Sequence, residues 1–196
     1  GSGIYYHISY WGSPHDYLWL YTTPPALIWE EMRKAYDYKA RNIWIVNVGD
    51  LKPQEIGIEL FMQMAWDINR WNLGNIDKYL ETWAAREFGP AHAAEIAEIM
   101  RRYYALNYKR KPEHMGFYDK LSLAANNKDP EFSLYTYGDE SQKRLDAFDA
   151  IEKRAATLYE KIPAHKKDAY YQLVLYPVAG SAEMNKKHLY AYKSRR

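Results

Sequence analysis

Two short stretches hold the side chains best suited to chemistry. "YYHISYW" carries His7, Ser9, Tyr10 and Trp11, and "VNVGDLKPQE" carries Asn47, Gly49, Asp50 and Lys52. An imidazole can donate, accept or move a proton near neutral pH. An amide, a carboxylate and an ammonium can grip hydroxyl and carboxyl groups. Tyrosine and tryptophan add a flat apolar face with a polar edge, which suits carbohydrate-like ligands. The chemistry open to these groups is recognition of an oxygen-rich substrate, with His7 able to take part in proton transfer.

Each residue also has an ordinary alternative. A lone histidine is more often a satisfied structural group than a ligand or catalyst. Asn47 sits in an apolar run, and a buried amide without a partner costs roughly 1–3 kcal/mol. It must either bond a neighbouring loop backbone or face a ligand. Asp50 and Lys52 can pair with each other or reach a sugar hydroxyl or carboxylate. Glu55 falls in the first turn of a helix opened by Pro53, where the helix dipole favours an acid, so it reads as structural. His7, His15 and Asp16 match no dedicated metal spacing, and neither a metal nor a cofactor is expected. No phosphate-cradling glycine loop, nucleophile elbow or P-loop occurs.

The elements that must position these groups follow from periodicity. "GIYYHISYW" is a β-branched and aromatic strand that stops at Gly12-Ser13-Pro14. Ile4, Tyr6, Ile8 and Tyr10 share one face, and Tyr5, His7, Ser9 and Trp11 the other. "TTPP" opens a helix with Ile28, Met32, Ala35 and Tyr36 at helical spacing. "NIWIVNVG" is a second strand, apolar enough to be parallel and covered on both faces. Pro53 begins a helix through about Trp66, with Ile56, Leu60 and Met64 inward and Ile68 following. Strand, helix, strand, helix predicts a parallel pair. Its C-terminal strand ends then lie only about 5 Å apart sideways. Functional groups gather at those ends in βα architectures.

Beyond "NRWNLGN" only helices are expected. They cover about 76–88, 91–108 and 140–162, and a fourth runs from about His165 to the C-terminus with a kink or break near Pro177. Residues 110–138 form a long irregular piece. The fold class is therefore α/β plus all-α. Residues 1–70 form a βαβα unit and residues 71–196 a helical bundle.

Composition bounds the function. Among 196 residues, 27 Lys and Arg balance 25 Asp and Glu for a net charge of +2, so neither a nucleic-acid partner nor a membrane surface is expected. The basic and aromatic stretch "RRYYALNYKRKPEH" reads as a solvated helix end rather than an RNA site. The absence of cysteine excludes disulfides and thiol catalysis. Gly1-Ser2-Gly3 runs straight into a strand, which reads as a chain taken from something longer. Most of the 20 Tyr and 7 Trp are expected in the core. The competing reading is a non-catalytic carbohydrate-binding or protein-interaction module that uses their exposed members.

"GIYYHISYWGSPHDYLWLYTTPPALIWEEM" and "IWIVNVGDLKPQEIGIELFMQMAWD" together resemble the xylan α-1,2-glucuronidases of glycoside hydrolase family 115. "YLETWAAREFGPAHAAEIAEIMRRY", "NYKRKPE" and "AYYQLVLYPV" extend the likeness in the same order; Met115 to Asp139 departs from it. The resemblance implies the last two βα units of a (β/α)8 catalytic barrel and the helical domain after it. It also implies a larger, usually dimeric protein, secreted or periplasmic. That protein would release glucuronic acid or its 4-O-methyl ether from glucuronoxylan or aldouronic oligosaccharides, with inversion and no cofactor. Inverting hydrolysis needs a general acid and a general base. Both are implied to lie on earlier strands, so the chain alone should be inactive. His7, Asn47 and Tyr10 match family pocket residues, for uronate binding and positioning, with His7 assisting proton traffic. Trp11, Asp50 and Lys52 are further substrate-contact candidates. Two departures bear on specificity. His15 stands where the family often has arginine in Gly-Gly-Pro-Arg, and Tyr21 where an asparagine often precedes the threonine pair.

Overall fold

In the computed structural model, which describes residues 1–13, 15–116 and 129–196, the β-branched and aromatic N-terminal run forms β1 (Ser2–His7). Its partner is β2 (Ala40–Asn47). The two are parallel, with Ile4 opposite Trp44, and His7 opposite Asn47 at the C-terminal end. The crossover between them is α1 (Pro25–Asp37), which starts on two prolines and buries Ile28 and Met32. After β2 comes α2 (Glu55–Trp66), burying Ile56, Leu60 and Met64 as helical spacing requires. It begins at Glu55 rather than Pro53. Gln54 N–H bonds Leu51 O in a turn, and that turn occupies the residues the proline was expected to enlist. The Lys52–Pro53 peptide is cis.

The pair is covered on one face only, which corrects the expectation for β2. Ile4, Tyr6, Trp44 and Val46 pack on the core. Tyr6 and Trp44 both meet Phe61 of α2, with ring centroids 6.3 and 5.8 Å away. On the other face Tyr5, Ile43 and Ile45 stand 58%, 59% and 47% exposed. Both helices that follow the strands lie on the same side, so this chain by itself covers that face alone.

The helical part begins with a single turn at Ile76–Lys78 and continues as α3 (Tyr79–Phe88). Gly89, with φ 96°, ends it in a conformation open to glycine. Next come α4 (Pro90–Lys109) and, past a single turn at Pro112–His114, α5 (Glu140–Lys161). The Asp139 carboxylate caps α5 by accepting from Gln142 N–H. The irregular 110–138 piece falls partly outside the described residues. In the last element the irregularity expected near Pro177 takes a specific form. α6 (Lys167–Tyr170) passes through a π-helical segment, Tyr171–Leu175, into α7 (Tyr176–Ser194). Pro177 can donate no backbone hydrogen bond. The wider π turns just before it let the helix continue instead of breaking.

Residues from both sides of position 70 enter one hydrophobic core, from Ile8 through Leu60, Trp83, Ile96 and Phe148 to Ala182. Tyr79, Tyr103 and Tyr170 are its largest fully buried side chains. Each hydroxyl donates to a main-chain carbonyl: Ile56, Tyr21 and Ala155 respectively, at 2.7 to 3.0 Å. These three tyrosines thus tie separate segments together while satisfying their own hydroxyls.

Gly57 on α2 tests this packing. A Cβ there would sit 2.5 Å from Tyr21 Cζ, and Tyr21 is only 3% exposed. Alanine should gain about 1 kcal/mol of helix propensity but lose about 1–3 kcal/mol or more to overpacking. Gly57→Ala should therefore lower the urea midpoint. Because the Tyr21 hydroxyl is buried without a partner among the described residues, Tyr21→Phe should restore part of the loss. A Gly57→Ala protein as stable as the original would refute the contact.

Candidate functional site

The site is built where the parallel pair ends. His7 and Asn47 are register partners, on the face turned away from α1 and α2. Asn47 is half-buried and makes two side-chain hydrogen bonds. Its amide donates to Tyr5 Oη at 2.7 Å, and its carbonyl accepts Gly49 N–H at 3.0 Å. The second bond shapes the turn after β2. Gly49 has φ 66°, and a Cβ on it would meet Leu18 and Ser9 side chains at 3.0 to 3.2 Å. Only glycine fits a left-handed backbone pressed this closely to the β1–α1 loop. His7 is exposed, and its ring meets Tyr5 edge-on at 4.9 Å. Tyr5, His7 and Asn47 therefore form one polar triad on the bare face.

Tyr10 lies on the opposite side of the chain, where Ile8 anchors the strand end in the core at 0% exposure. Its hydroxyl donates to Ser13 O. His114 approaches the ring edge at 5.1 Å, and the Lys111 ammonium lies 5.9 Å from its centroid. A cleft of about 440 Å³ opens here, with His7, Ser9, Tyr10, Lys111 and His114 in its wall. The cleft brings His7 and Tyr10 together. Asn47, Trp11, Asp50 and Lys52 lie outside it. Trp11 is 59% exposed. Lys52 pairs with Glu55 at 3.6 Å rather than with Asp50, and Glu55 stands in the first turn of α2.

The electrostatics of the cleft come from beneath it. Glu113 is 1% exposed, and burial pushes its carboxyl up, opposed by backbone hydrogen bonding and by Lys111. Burial pushes the Lys111 ammonium down, offset in part by Glu113. Burial, then Glu113 and Asp16, raise the Tyr10 phenol. Burial and Glu113 also raise Tyr17. A neutral phenol is therefore the form Tyr10 presents at neutral pH. No group of three His, Cys, Asp or Glu able to hold a metal occurs among the described residues. His15 stacks on Tyr17 with centroids 5.6 Å apart.

The sequence model of Glycosyl hydrolase family 115 matches residues 1–114. This chain belongs to that family. A solved family 115 4-O-methyl-α-glucuronidase, with specificity for decorated arabinogalactans, is similar to it. The two share 40% identity at a TM-score of 0.86, over 96% of this chain and 25% of the other. The family 115 chain thus spans about a quarter of that protein. No curated protein matches it.

Several residues of the family 115 chain were not singled out from sequence. Tyr5 was legible, since strand alternation puts it on the face of His7. Lys111, Glu113 and His114 were not, because roughly a hundred residues separate them from Tyr10. The expectation of a solvated helix end is corrected here. Arg101 and Arg102 do face solvent, paired with Glu98 at 3.0 and 2.6 Å. Tyr103, Tyr104 and Glu113 are buried instead. No helix among the described residues is long and apolar enough to cross a membrane.

Proposed function

We propose that this chain is the end of a (β/α)8 catalytic barrel, residues 1–70, followed by a helical domain, residues 71–196, of an α-glucuronidase. The enzyme removes glucuronic acid or its 4-O-methyl ether from glucuronoxylan or a similarly decorated polysaccharide, with inversion and no cofactor, and works as a homodimer. The observation that carries this reading is the pairing of His7 with Asn47. Both stand at the C-terminal end of parallel strands, on the face opposite the helices. In a closed barrel that face is the interior, and that end is where βα loops meet substrate. Family membership and the 40% identity to a 4-O-methyl-α-glucuronidase support the reaction class.

His7 and Asn47 bind and orient the uronate from the bare face, and Tyr10 contributes from the cleft whose wall it shares with His7. Neutral Tyr10 donates or accepts a hydrogen bond without adding charge. His7 assists proton transfer. The general acid and base belong to earlier strands, so the isolated chain is inactive.

The test is uronic acid release by the full-length protein, from aldouronic oligosaccharides and from decorated arabinogalactan, with the 196-residue chain in parallel. Release by the full-length protein alone is expected. No release from either substrate would end the assignment. Equal turnover by the isolated chain would end the placement of the acid and base.

A further inference from the structure

We propose that Lys111 is a positioning residue, which holds Tyr10 in the site from the far side of the fold. The inference rests on the functional reading above only for its effect on catalysis.

Four observations converge. Lys111 follows α4, yet its ammonium donates to Thr22 Oγ1 at 2.8 Å, on the loop between β1 and α1. The same ammonium lies 5.9 Å from the Tyr10 centroid. His114, one turn on, meets the Tyr10 ring edge at 5.1 Å. Glu113, between them in sequence, is buried, and its field reaches Tyr10 and Tyr17. The phenol oxygen of Tyr10 is held separately, through Ser13 O. The ring is thus gripped by a segment roughly a hundred residues away in sequence.

Lys111 is half-buried, and withdrawing an ammonium from water costs free energy unless its charge is compensated. A surface loop has no need of such a group. Here the ammonium is compensated by one hydroxyl, an aromatic face and the field of Glu113. This arrangement makes the position of Thr22 and Tyr10 depend on Lys111. The stretch just after Tyr10 contains Gly12, Ser13 and exposed Trp11, whereas the far end of the loop is buried at Leu20, Tyr21 and Thr22. A backbone anchor, Tyr103 Oη to Tyr21 O at 2.9 Å, holds the other end of that loop.

The experiment has two readouts. First, 3-fluorotyrosine placed at position 10 gives one fluorine NMR line. Lys111→Met and Thr22→Val should each shift it toward the free-tyrosine position, and Lys111→Arg should leave it nearly in place. An unmoved line in Lys111→Met overturns the proposal, whatever the activity. Second, in the full-length protein Lys111→Met should lower kcat roughly tenfold with little change in KM. It should have no further effect in a Tyr10→Ala background, since the two act as one unit. Additive losses overturn the proposal. If the fluorine line moves while Tyr10→Ala leaves turnover unchanged, Lys111 does position Tyr10, and the placement of Tyr10 in the site is what fails.

Discussion

His7→Ala in the full-length family 115 protein should cut kcat/KM for release of methylglucuronate by about 10²-fold or more, the usual cost of losing an acid–base or proton-shuttling group. The loss should fall mainly on kcat if His7 moves a proton, and on both constants if it only grips the uronate. His7 is exposed in this chain. The thermal midpoint of the full-length variant, measured alongside, separates loss of a functional group from loss of the fold. Lost activity in a folded variant could not then be blamed on unfolding. Asn47→Ala removes two hydrogen bonds, to Tyr5 Oη and from Gly49 N–H. It should cost activity and also about 1–2 kcal/mol of stability, as the turn after β2 loses its tie. Asn47→Asp keeps the acceptor for Gly49 and should recover stability without activity. Unchanged release by both alanine variants would remove the site from this end of the sheet.

Arg144→Met should destabilise the chain by about 3–5 kcal/mol, the cost of breaking a buried charged network from one side. Arg144 is 4% exposed and lies on α5. Its guanidinium donates to Asn185 Oδ1 at 2.6 Å, to Leu106 O at 2.8 Å and to Arg110 O at 2.9 Å. Leu106 belongs to the last turn of α4, whose carbonyls have no helical partners. A cation there also meets the negative end of the helix. Phe132 and Phe148 flank the charge at 4.7 and 5.1 Å. Burial, aided by Arg110, pushes Arg144 down, but the five-donor fork remains charged. Methionine fills the volume and leaves three acceptors unpaired. Arg144→Lys should fall between, because one ammonium cannot reproduce the fork. Urea unfolding of the 196-residue chain measures this. A loss below about 1 kcal/mol would mean the acceptors find other partners. Since Arg144 binds the carbonyl just before Lys111, the same variant should loosen the segment that touches Tyr10.

Much of the molecule was legible in one dimension. Ile56, Leu60 and Met64 recur at helical spacing and are all buried. Leu145, Phe148, Ile151, Ala155 and Leu158 do the same on α5. Period-two alternation separated His7 from Ile8 before any fold was in view. The parallel pairing followed from a crossover with no hairpin signal, and it brought His7 to Asn47. These features rest on contacts between neighbours in the chain, or on a pattern that each element carries alone.

Other features depend on what the sequence places far away. Ile43 and Ile45 stand on the sheet face opposite α1 and α2, which those helices leave uncovered within this chain. The kink or break expected near Pro177 is met by a π segment, Tyr171–Leu175, through which the helix continues. "KRKPEH" read as solvated because it is charged, yet Glu113 is buried and Lys111 reaches Thr22.

The sequence by itself determined the order and kind of the elements, the residues each helix turns inward, the family, and the two strand ends that carry His7 and Asn47. The tertiary structure alone decided which face of the strand pair is bare. It alone decided that Tyr5 completes the polar triad, that Lys111 and His114 meet Tyr10, and that Arg144 holds the carbonyl just before Lys111. The division is physical. Periodicity records which side of an element avoids water, but a buried charge is tolerated only where distant groups converge to compensate it.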